Sequence, residues 1–148
     1  MNQDKTEILH KEIDLIQACI SRISQNSFFI KGWAISIVAV VLALSKESVF
    51  SIQVGFILLL VLVAFWRLDA YFLRLERLYR KLYENIIENR RRDNWDNLYD
   101  LNPHRFKEAV GSQWTIMFSA TLRVFYGIPI AAIIGWLFLN FIHIYGCL

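Results

Sequence analysis

Three long apolar tracts, separated by polar segments that carry a helical rhythm, dominate the hydrophobic pattern of this chain. The first, residues 28–45, is interrupted by Lys31, close enough to one end for its ammonium to reach the headgroups of a bilayer. A short polar loop, Ser45-Lys46-Glu47-Ser48, leads to the second, residues 49–66, which contains no formal charge. The third, residues 124–146, is also uncharged. Each is long enough to cross a hydrocarbon core of about 30 Å as a helix. The stretch 109–122 is uncharged as well, but it is short and carries Ser112, Gln113, Ser119 and Thr121. Three spans are therefore expected, with a fourth short one as the alternative.

The polar segments are periodic too. Leu9, Ile13, Ile16, Ile20 and Ile23 alternate steps of four and three, the mark of an amphipathic helix with a narrow seam over residues 1–27. Leu68, Phe72, Leu75, Tyr79, Leu82 and Ile86 repeat that rhythm after the second tract. No Gly or Pro separates Ala64 from Arg92, so one helix is expected to run out of the second span. Asn102-Pro103 reads as a helix start, with Asn as the cap and Pro in the first turn. The helix it opens is expected to place Phe106, Val110, Trp114 and Met117 on one side and to lead into the last span. The fold class that follows is an all-α integral membrane protein: three transmembrane helices extended into a cytoplasmic helical bundle, to which residues 1–27 contribute an amphipathic helix and 67–111 a helical segment.

Composition and charge sharpen this picture. Apolar residues make up 56% of 148 residues, above the range of soluble domains, and they are bunched rather than sprinkled. Ten of the 16 Lys and Arg residues lie between Arg67 and Lys107, whereas the loop between the first two spans holds only Lys46. The positive-inside rule then sets the long segment and the N-terminus in the cytoplasm of a bacterial inner membrane protein, and the C-terminus on the periplasmic or extracellular side. Trp33, Trp66 and Trp136 fall near span ends, as anchoring aromatics do. Cys19 and Cys147 would lie on opposite sides and form no disulfide framework.

The pattern offers little catalytic chemistry. His10, His104 and His143 have no second ligand at metal spacing, and no phosphate loop, dinucleotide fingerprint or nucleophile elbow is present. The expectation is a protein without enzyme activity, metal or cofactor. Packing and charge are more informative. Gly127, Ala131 and Gly135 recur every four residues in the last span, a spacing that lets helix backbones approach closely. They serve either a contact between subunits or packing against the chain's own first two spans, with Pro129 bending the helix among them. Lys31 and Asp69 are expected at the same membrane depth, either as an ion pair or as two residues reaching separately for water. Arg74, Arg77 and Lys81 share one side of the long helix, which Arg90, Arg91 and Arg92 close. Such a set binds anionic lipid headgroups or, with Trp95 and Tyr99 as stacking faces, an anionic ligand such as a nucleotide or oligonucleotide.

The run from Trp66 through Arg67-Leu68-Asp69-Ala70-Tyr71-Phe72-Leu73-Arg74-Leu75-Glu76-Arg77 to Tyr83 resembles small bacterial membrane proteins encoded beside nucleotidyltransferases in anti-phage systems, such as the membrane component of the Hailong system. The resemblance continues in Ser119, Thr121 and Phe125-Tyr126-Gly127 and covers about a third of the chain. It implies a homo-oligomeric channel of abortive infection, controlled by a nucleotide-derived signal from a neighbour-encoded nucleotidyltransferase. The rival expectation, from another class, is a non-conducting scaffold or sensor subunit that recruits a cytoplasmic partner.

Overall fold

A computed structural model describes residues 3–44 and 52–145. Cys147, the side chain of His143 and the loop Ser45-Lys46-Glu47-Ser48 fall outside that set. Among the described residues there is no β-strand: α1 spans Gln3–Leu44, α2 Ile52–Arg91, α3 Gln113–Met117 and α4 Ala120–Tyr145, with a single 3₁₀ turn at Pro103–Phe106. Three of these, α1, α2 and α4, are long and apolar enough to cross a membrane.

The two longest helices end as helix electrostatics favours. Asp4 lies in the first turn of α1, and Arg90 and Arg91 in the last turn of α2, each opposite in sign to the nearby end of the helix dipole. Beyond Arg91 the Asp93 amide donates to the Arg90 carbonyl and the Asn94 amide to the Asn89 carbonyl, while Asp93 takes a φ of 58°. This is a Schellman closure with aspartate in the left-handed position.

The expected helix from Asn102 to the last span is not formed as one piece. The Asn102 carboxamide caps His104 N at 3.0 Å with Pro103 behind it, but the helical run lasts a single turn. Lys107 and Ala109 then donate three residues back, to His104 and Phe106, and the Gly111 carbonyl accepts from Arg74 Nε at 3.2 Å. The alternative fourth span at 109–122 is excluded by length: α3, with five residues, reaches only about 8 Å. The last helix starts four residues before the predicted Val124 and takes in Arg123.

By its contacts the chain divides into two units. A polar unit comprises Met1–Ser27 and Tyr71–Gln113, and an apolar unit comprises Phe28–Ala70 and Trp114–Leu148. In the polar unit Ile16, Leu82 and Ile86 form the core, with Leu9, Ile20, Tyr79, Tyr83, Leu101 and Phe106 packed around it. The expected seams supply most of it, although Leu68, their first predicted member on α2, is exposed.

The apolar unit is inside-out compared with a soluble protein. Ile30, Ala34, Leu58, Leu62, Ile116, Leu122 and Tyr126 are buried, while Phe28, Trp33, Phe56, Leu60, Ile128, Phe138 and Leu139 are exposed. Only 17%, 22% and 11% of the most apolar window of α1, α2 and α4 is covered by the chain itself, so most of that surface needs an apolar surrounding.

The close helix approach falls on a residue outside the small-residue motif. A Cβ built on Gly55 would stand 2.9 Å from Leu137 Cδ2 and 3.3 Å from Trp136, whereas one on Gly127 or Gly135 meets nothing within 4 Å. Gly55→Val is therefore expected to destabilise the protein by about 1–3 kcal/mol through overpacking, and Gly135→Ala to leave it at least as stable. Thermal unfolding of both variants in detergent checks this; equal losses would contradict it.

Candidate functional site

Two buried polar networks stand out, one in each unit. In the apolar unit, apolar neighbours at helical spacing carry Asp69 inward: Leu62 is seven residues before it and Ala70 adjoins it, all three buried. Its carboxylate has no solvent exposure. Lys31 Nζ, on α1, donates to both oxygens, 2.8 Å from Oδ1 and 2.6 Å from Oδ2. Tyr126 Oη, on α4, donates to Oδ2 at 3.2 Å. One carboxylate thus holds three helices by charge-assisted bonds. The Tyr126 ring stacks on Trp66 with centroids 6.1 Å apart, and Trp66 Nε1 donates to the Met117 carbonyl at 2.8 Å. That bond ties α3 to α2.

Beside Tyr126 the three helices leave apolar grooves. One of about 240 Å³ is lined by Tyr126, Leu62 and Ala34 among others, and a second of about 570 Å³ reaches Trp136. They share Val38, Leu42 and Pro129, so they form a continuous furrow.

In the polar unit the buried pair is Glu12 with Arg90. The guanidinium meets the carboxylate with two parallel bonds, Nε to Oε2 at 3.0 Å and Nη2 to Oε1 at 2.8 Å. Arg90 Nη1 also donates to the carbonyls of Asn94 and Asp96, and the Tyr99 amide donates to Glu12 Oε1. Trp95 lies under two cations, Arg90 and Lys5, each 5.1 Å from its ring. Lys5 bonds Asp93 at 2.8 Å, and this bond, aided by one from Trp95 Nε1, holds the Asp93 carboxyl below the usual carboxylate range.

The structure divides the predicted anion-binding residues. Arg90 is buried and engaged by Glu12, and the Trp95 ring is covered by cations. Arg74 is half-buried and holds the Gly111 carbonyl. Arg77, Lys81, Arg91, Arg92 and Tyr99 are exposed. Lys81 pairs with Glu84, and Arg91 and Arg92 both pair with Glu88, in solvent-exposed bridges that contribute little and exchange readily. Gly127 is half-buried and Ala131 and Gly135 are exposed, and among the described residues nothing lies within 4 Å of a Cβ built on either glycine. Among the described residues no three His, Cys, Asp or Glu side chains stand together in a way that could hold a metal ion.

Sequence reasoning passed over Glu12, Tyr126, Lys5 and Gly55. A signal for the buried pair was available. Glu12 stands four residues before Ile16 and Arg90 four after Ile86, so both charges continue an apolar stripe onto the core side. A charge in register with a seam is a candidate for burial with a partner. No protein-family model, curated protein or solved structure matches this chain.

Proposed function

We propose that this chain is a homo-oligomeric membrane effector of anti-phage defence that conducts ions, with its polar unit and N-terminus in the cytoplasm. An anionic nucleotide or oligonucleotide, received on the exposed Arg77, Lys81, Arg91 and Arg92, controls it. The observation that carries this reading is the uncovered stripe on α4. Among the described residues nothing stands where a side chain of Gly127 or Gly135 would lie, on a helix whose most apolar window is only 11% covered. A close-packing motif whose two glycines meet no described residue of their own chain is suited to another copy. Subunits meeting there would enclose an apolar pathway, shut by dewetting and opened by a small helix movement.

The test combines mass measurement in detergent with planar-bilayer conductance. The wild type is expected to be an oligomer that passes current, and its current to change on adding nucleotides. Gly127→Leu with Gly135→Leu is expected to give a folded chain whose assembly is weakened roughly ten-fold or more. A wild-type monomer with no current under any nucleotide overturns the proposal. An assembly that carries no current but retains a cytoplasmic partner returns the scaffold reading instead.

A further inference from the structure

The segment after α2 combines three features. Its side chains bury almost nothing: among residues 93–99 only Trp95 is half-buried and the others are exposed. Its backbone is strained, with φ of 58° at Asp93, 56° at Asn97 and 58° at Tyr99, none of them glycine. Asp93 closes the helix and asparagine tolerates that region, but a tyrosine there needs an outside hold. And the hold is polar. Apart from the backbone closure of α2 by the Asp93 and Asn94 amides, the bonds among the described residues that tie this loop to α1 and α2 run through the Arg90, Glu12 and Lys5 side chains.

We infer that residues 93–99 form a strap that opens as a unit while the helices stay folded, with the Glu12–Arg90 pair as its clasp. The clasp works from both sides. Arg90 holds two strap carbonyls and stands over Trp95, and Glu12 holds the Tyr99 amide. Beyond the strap, Leu101 and Phe106 pack on the Ile16–Leu82–Ile86 core, so opening stops there and the chain stays anchored at both ends. A segment with little apolar burial and stored backbone strain belongs to the low-stability end of local unfolding. Opening lets the Arg90 side chain, at the last turn of α2, leave Glu12 and join Arg91 and Arg92 in water. The strap therefore sets how much positive charge that helix end presents. This holds whether or not the protein conducts.

Hydrogen exchange of the full-length protein in detergent, read by mass spectrometry, tests the strap. Glu12→Gln keeps the shape but weakens the clasp. It is expected to speed exchange across residues 95–99 roughly ten-fold, with the amides around Ile16, Leu82 and Ile86 unchanged. Tyr99→Gly relieves strain without touching the core and is expected to slow strap exchange about three-fold or more. Equal acceleration of strap and core in Glu12→Gln, or no acceleration, overturns the inference. Should Glu12→Gln fail to fold, Tyr99→Gly decides alone: strap exchange that is unchanged or faster overturns it.

Discussion

Lys31→Met is expected to destabilise the apolar unit by about 3–5 kcal/mol, because it removes the cation that meets both oxygens of a fully buried carboxylate. The reverse deletion should cost less. The Lys31 side chain keeps 25% of its exposure, and its flexible stem can carry the ammonium away from the core once Asp69→Asn has removed its partner. Asp69 has no such exit. Lys31→Asp should be the most damaging single change, since it sets two carboxylates side by side. Combined with Asp69→Lys it should recover at least half of the loss, as expected for two residues that interact directly. Unfolding midpoints of the wild type, Lys31→Asp, Asp69→Lys and the double exchange in one detergent give the comparison. Losses that simply add in the double variant would show that the 2.6 Å contact carries no coupling.

The second large effect concerns the core of the polar unit. Leu82→Ala should cost about 2–5 kcal/mol, since Leu82 is fully buried between Ile16 and Ile86 and its removal leaves a cavity that helical neighbours fill only in part. Ile87 follows five residues later on the same helix and is 36% exposed; its replacement by alanine should cost less than about 1 kcal/mol. The pair of measurements separates packing from helix propensity, which alanine improves at both sites. A similar loss at both positions would mean that the buried seam is not where the stability of this unit resides.

The Lys31–Asp69 contact was foreseeable in outline because both charges flank apolar tracts, where a lone charge is costly and a partner at the same depth relieves it. Tyr126 carries no such signal, because a tyrosine inside an apolar tract reads equally well as an ordinary aromatic. Gly55 shows the opposite failure. Periodicity singled out Gly127, Ala131 and Gly135, yet the tight approach within the chain is at Gly55, facing Leu137. A spacing rule identifies a face on which close contact is allowed. Which helix takes up that contact depends on where the neighbours lie.

The broken segment after Pro103 follows the same division. Capping chemistry is local, and the Asn102 cap forms as its residues dictate. The run nevertheless stops after one turn, and beyond it the Gly111 carbonyl accepts from Arg74, 37 residues away in sequence, a contact that no local signal announces. Likewise Arg90 carries the same charge as Arg91 and Arg92 and stands beside them. Only the packing of α1 against α2 in the polar unit brings Glu12 to it and makes it an internal residue.

By itself the sequence determined what depends on neighbours along the chain: helix content, the three apolar lengths, the seams, and the residues that start and stop helices. These follow from repeat distances of three and four residues and from the cost of leaving backbone or charge without a partner. Tertiary structure alone decided which charges became buried pairs, which glycine admits a neighbour, and where the last long helix begins. Those outcomes turn on distances between side chains far apart in sequence, and no local period encodes them.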